Sequence, residues 1–90
     1  MELEIDRMLT LSMAHIEPDV IKELEENDFD NITVYDKAAY GYIIYIHYRN
    51  DTGYKSLNDC IDLVLDNDCK ILCLDRGGSM VEGLPTYKWK

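Results

Sequence analysis

Three sets of side chains in this chain could do chemistry. The first is acidic. Eighteen Asp and Glu face nine Lys and Arg over 90 residues, a formal net charge of −9. The excess is clustered. Residues 17–30 hold Glu17, Asp19, Glu23, Glu25, Glu26, Asp28 and Asp30 against Lys22: seven minus one, or −6. Residues 59–68 hold Asp59, Asp62, Asp66 and Asp68 with no base, or −4. Asp59, Asp62 and Asp66 fall at i, i+3 and i+7, one outward line on a helix. A field of this sign repels nucleic acid and anionic membrane and attracts basic surfaces. Such a row could imitate a phosphate backbone and occupy a basic nucleic-acid groove on another protein, since those grooves owe much of their affinity to phosphate charge. It could equally be a solvated face kept charged for solubility. On the first reading the contact residues are Glu23, Glu26, Asp59, Asp62 and Asp66. The partner is then a protein with a basic surface, not nucleic acid itself and not a membrane. No Asp-x-Asp-x-Asp-Gly loop of calcium type is present, so no metal is expected among these acids.

The second set is His15, Asp75 and Arg76, followed by Gly77, Gly78 and Ser79. All lie just past apolar runs that read as strands, and strand ends often hold ligand contacts in open sheets. His15, Asp75 and Arg76 could clasp a small ligand, with the glycines offering backbone N–H groups to an anion. The alternative is a plain turn. The third set is Cys60, Cys69 and Cys73 with His15 and His47. Zinc sites show tight Cys pairs, whereas these spacings are nine and four. Three is also an odd number for a disulfide scaffold, so the cysteines read as reduced thiols and small core residues. No nucleophile is paired with a base and no cofactor motif occurs. The expectation is a protein that is not an enzyme and carries no cofactor.

The elements that must position these residues follow from apolar spacing. Residues 3–13 alternate with period two, as a strand does, although Arg7 falls on the apolar parity. Pro18 and its acidic neighbours open a short helix over about residues 18–27, with Val20, Ile21 and Leu24 inward. Residues 32–35 form a strand and 36–39 a turn. Residues 40–48 form the most apolar strand, with Tyr40, Tyr42, Ile44, Ile46 and Tyr48 on one parity and Ile43, Tyr45 and His47 on the other. Ser56 and Asp59 resemble a capping box. Leu57, Cys60, Ile61, Val64 and Leu65 then give a helix stripe. Residues 71–74 are apolar on both faces, which marks an interior strand. Met80–Val81 suggests a short return strand, and Tyr87 and Trp89 an aromatic tail that docks.

This order, β-α-β-β-α-β, implies an α+β two-layer sandwich in one domain, residues 1–90. Two helices would cover one face of a mixed or antiparallel sheet. A ferredoxin-like split β-α-β arrangement is the first choice and a small mixed sheet the second. The uncovered face is expected to carry some of Tyr40, Tyr42, Ile44, Ile46 and Met8. It would be a homodimer or partner surface, or be covered by the tail. No apolar run is long enough to span a membrane and no secretory signal is seen, so a cytoplasmic location is expected.

Two segments also resemble a known group. Cys73-Leu74-Asp75-Arg76-Gly77-Gly78 with Gly83-Leu84-Pro85-Thr86-Tyr87-Lys88-Trp89, and Leu9 through Ile16 with its Ala-His-Ile turn, are similar to a bacterial family of short proteins met in phages, plasmids and integrative elements. That group is expected to show Asp-Arg-Asp-Gly where this chain has Asp-Arg-Gly-Gly. The resemblance implies a mobile-element accessory protein in a bacterial host. By analogy it implies a non-catalytic inhibitor of a host defence protein, of anti-CRISPR or anti-restriction type. A nucleotide-signal sponge and an antitoxin-like structural subunit are the alternatives.

Overall fold

A computed structural model describes residues 6–26, 28–36 and 41–88. Its elements are β1 (Met8–Ser12), a single 3-10 turn (Met13–His15), α1 (Val20–Glu26), β2 (Ile32–Asp36), β3 (Gly41–Ile46), α2 (Lys55–Asp66) and β4 (Ile71–Asp75). The first strand thus begins just after Arg7. Residues 3–5 of its anticipated course, together with Tyr40 and Trp89, lie outside the described residues. The α+β class and the β-α-β-β-α-β order are as the sequence implies.

The strand order corrects the ferredoxin-like expectation. The sheet runs β1-β4-β3-β2, with β1 parallel to β4 and the other neighbours antiparallel. A split β-α-β sheet would put β1 inside and β4 at the edge; here they exchange places. Burial explains the exchange. Leu72, Cys73 and Leu74 are all buried, so β4 has no face to give to solvent. β1 exposes Met8 and Thr10 and tolerates an edge.

Alternation decides which residues enter the core. Ile32, Val34, Tyr42, Ile44, Ile46, Leu72 and Leu74 point toward the helices and are buried. Leu24 of α1 and Leu57, Ile61 and Val64 of α2 meet them at 1% exposure or less. Each such side chain contributes about 1.5–3 kcal/mol of transfer free energy. The opposite face is therefore built from the other parity, which corrects the expected set. Its first row across the sheet is Met8, Ile71, Tyr45 and Thr33. Its second is Thr10, Cys73, Ile43 and Tyr35. Only Met8 was anticipated there. Tyr42 lies inward because its hydroxyl escapes at the rim and donates to Glu25 Oε1 at 2.9 Å.

Both ends of α2 depart from simple capping. Tyr54 precedes the helix and makes no side-chain cap. The Ser56–Asp59 box does not form, because Ser56 is buried and its Oγ accepts from the Glu17 N–H instead. A loop network takes over the start of the helix. Asn58 Oδ1 accepts from the Thr52 N–H and hydroxyl, and Asp51 Oδ1 accepts from Gly53 N–H and the Asn58 amide. These two donors hold the Asp51 carboxyl below its usual range. At the far end Cys69 N–H reaches Val64 O and Asp68 N–H reaches Leu65 O, with Asp68 at φ 59°. That is a Schellman closure with Asp in the left-handed position usually given to glycine.

Beyond β4 no return strand forms at Met80–Val81. Gly77 N–H donates to Asp75 Oδ1 and Gly78 N–H to Asp75 O, a tight turn. A Cβ at Gly78 would stand 2.5 Å from Leu11 O, so only glycine lets the turn press onto β1. Residues 79–88 then run as an irregular strap beside β1's end and α2. Among the described residues the strap's contacts are with the end of β1, the 3-10 turn and α2.

Candidate functional site

His15 organises the strap. It is 2% exposed at the end of the 3-10 turn that Ser12 opens by accepting from Ala14 N–H. Its Nε2 accepts from Val81 N–H at 2.9 Å. The proton therefore sits on Nδ1, which donates to Pro85 O at 2.9 Å. Ser12 N–H to Ser79 O and Tyr87 N–H to Ala14 O complete the seam. Both ring nitrogens are thus occupied by backbone, and none is left for a ligand. This corrects the ligand-binding expectation for His15. Asp75 Oδ1 accepts from Gly77 N–H in its own turn, and Arg76 is exposed beside it.

The strap also forms a groove with α2. Gly83, Leu84 and Pro85 face Lys55, Asp59, Asp62, Leu63 and Asp66 across an open groove of about 400 Å³. Leu63 and Leu84 give it an apolar floor, and three carboxylates of α2 line one wall. They are not bare. Arg49, from the loop after β3, donates to Asp62 Oδ1 at 2.7 Å and to Asp66 Oδ1 at 2.9 Å. Lys55 reaches Asp59 at 2.8 Å. Three negative charges against two positive leave −1 along this wall. The guanidinium is held charged mainly by its bond to Asp66, then by the Asp62 field, and the Lys55 ammonium by Asp59. All these side chains remain substantially solvated except that of Asp59, which is 30% exposed.

The excess charge is therefore heavier on α1 than on α2. Glu26 is exposed, and Glu23 is half-buried against Tyr54, whose phenol is shifted up by burial and then by Glu23. Among the described residues no ion pair reaches a carboxylate of α1. Both helices pack on the same sheet face, so the five anticipated contact residues belong to one layer.

The thiols are buried. Cys60 and Cys69 belong to the core under the helices, and Cys73 lies on the other face of the sheet. Burial, then the charge of Asp59, pushes the Cys60 thiol up to about 12, which denies it thiolate character near neutrality. His47 lies on the other sheet face, with Nε2 at 2.7 Å from Thr33 Oγ1. Among the described residues no three His, Cys, Asp or Glu converge as a metal site, and no helix is long and apolar enough to cross a membrane.

Sequence reasoning missed Arg49, Lys55 and the anchoring of the docked tail on His15. Lys55 could have been found, since it sits four residues before Asp59. Arg49 lies 13 and 17 residues from its partners, and no local pattern announces it. No curated protein and no solved structure matches this chain. Residues 8–89 match a family described as a family of unknown function (DUF5983), C-terminal domain, and with nearly the whole sequence covered the chain belongs to that family.

Proposed function

We propose that this domain is a non-catalytic protein-binding inhibitor that presents its acidic helical layer to a basic surface of its partner. The observation that carries this reading is the groove between α2 and the strap, where Asp59, Asp62 and Asp66 stand over an apolar floor. A partner's Arg or Lys can enter there, bury its aliphatic stem on Leu63 and Leu84, and reach the carboxylates. Arg49 is the group it must displace. Its pairs are half exposed, and exposed pairs contribute little, so the exchange is cheap. Glu23 and Glu26 extend the field and steer encounter. The finer form of the proposal is a nucleic-acid mimic, encoded by a phage or mobile element, on a bacterial defence nuclease.

The test is displacement of labelled DNA from such a nuclease, read by fluorescence anisotropy at low and high salt. Wild-type protein should compete, with a steep salt response. Glu23→Lys with Glu26→Lys, or Asp62→Lys with Asp66→Lys, should slow association and flatten that response. Arg49→Gln should strengthen competition. Charge-reversed variants that compete as well as wild type would refute the acidic layer as the binding surface.

A further inference from the structure

We propose that His15 is a proton-operated latch: a second proton on its ring releases the strap from the 3-10 turn and opens the groove wall that faces the carboxylates of α2. The geometry admits one protonation state. The Val81 N–H points at Nε2 and the Pro85 carbonyl accepts from Nδ1, both at 2.9 Å. The closed strap therefore fits only the neutral ring with its proton on Nδ1. An imidazolium donates from both nitrogens, so a proton on Nε2 sets one donor against another at Val81. The site is 2% exposed, and neither of the ring's two partners is a carboxylate that would compensate the charge.

The anchor points give the latch its consequence. Val81 and Pro85 stand at the two ends of a short segment that Leu84 N–H to Val81 O closes into one turn. Gly83, Leu84 and Pro85 of this segment line the groove opposite Asp59, Asp62 and Asp66. An effect of the latch on a partner rests on the proposed function; the opening itself does not.

Other ionisable groups on the surrounding elements do not act in the same way. Cys60 of α2 directs its thiol to His15 O at 3.9 Å, and burial, then Asp59, pushes that thiol up. Lys55 and Asp59 of α2 pair with each other at 2.8 Å. Glu17 follows the turn, Glu82 and Tyr87 lie on the strap, and Asp75 stands in register with Ser12 at the end of β4. Carboxylates ordinarily take up protons near pH 4, and phenols and amines release theirs near pH 10, whereas imidazole exchanges its proton at about 6.5. The other histidine, His47, bonds to Thr33 on the opposite sheet face.

Linkage sets the sign and the size. The open form takes the proton and the closed form excludes it, so acid favours opening, by at most about tenfold in the open-to-closed ratio for each pH unit. From about pH 7.5 to about pH 5, across the ordinary imidazole range, that ratio should rise at least about tenfold.

Hydrogen exchange and ring 15N spectra of the whole chain test this without a partner. Protection of the Val81 and Tyr87 amides, corrected for intrinsic rate, should fall at least about tenfold over that range, while β4 amides stay better protected. Wherever the strap is closed, the His15 ring should be neutral with its proton on Nδ1. His47→Gln should respond like wild type. His15→Gln, which has no ring proton to gain, should show strap protection independent of pH. Circular dichroism checks that His15→Gln folds; should it not, the wild-type ring and amide titrations decide alone. Strap protection unchanged down to about pH 5 overturns the proposal. So does an imidazolium at His15 beneath a strap still protected, or an undiminished response in His15→Gln. A failed DNA displacement refutes the acidic layer and leaves the latch standing, whereas a strap that stays shut in acid refutes the latch alone.

Discussion

Removing the His15 side chain should cost far more than removing a surface histidine. His15→Ala deletes two hydrogen bonds, to Val81 N–H and Pro85 O. Each is worth about 1 kcal/mol net, and the ring leaves a hole at a site 2% exposed, adding about 1 kcal/mol. The expected loss is about 3 kcal/mol. A domain of this length holds roughly 5–13 kcal/mol in all. One kcal/mol moves the midpoint of so small a domain by about 4–8 °C, so Tm should fall by about 12–24 °C. Thermal unfolding followed by circular dichroism measures this. Amide exchange gives the location: the Val81 and Tyr87 amides, which close the seam, should lose protection before those of β4. His15→Gln, able to keep one of the two bonds, should lose about half as much. A Tm within about 2 °C of wild type, or strap amides as protected as before, would refute the assignment of His15 as the strap's anchor.

Three further outcomes follow from the geometry. Gly41 sits at φ 142° with a hypothetical Cβ 1.8 Å from Leu74 O, so Gly41→Ala should cost about 3 kcal/mol or more, measured by urea unfolding, through broken β3–β4 pairing. Asp68→Gly should instead raise stability by about 0.5–1 kcal/mol, read in the same assay, because glycine takes the left-handed position without strain. In alkali the fold should weaken: burial, then the bond to Glu25, raises the Tyr42 phenol to about 12, whereas the unfolded chain ionises near 10.0. That contribution is complete below pH 10.0 and is lost as pH rises through about 12, with Cys60 acting in the same direction from 9.0 upward. Urea midpoints measured across this range should fall, and less steeply in Tyr42→Phe.

Element types were readable because their periods were clean. The stripe from Leu57 to Val64 could only be a helix, and the run at 71–74 only a strand with no exposed face. That second reading already contained the correct topology, since a strand apolar on both sides cannot sit at an edge; the ferredoxin-like preference overrode it. The parity of β3 was harder. Both of its faces are apolar or aromatic, so period two gives no sign of direction, and the choice rests on Tyr42 finding Glu25 at the rim. Of the site, the aspartate row was visible in its spacing. The cations that temper it were less so, because Arg49 approaches from a loop. His15 illustrates a general ambiguity: a lone histidine after a strand reads the same whether its nitrogens meet a ligand or a neighbouring backbone.

The placement of β4 bears on how the protein is made. Within this domain β1 is made first, yet its neighbour in the sheet is the last of the described strands, at Ile71–Asp75. Until that strand emerges, β3 lacks one flank and β1 has nothing to pair with. The sheet must close after most of the domain has been synthesised, so nascent intermediates expose apolar edges until β4 emerges. Truncation before residue 75 should consequently yield a chain prone to aggregation rather than a smaller folded unit.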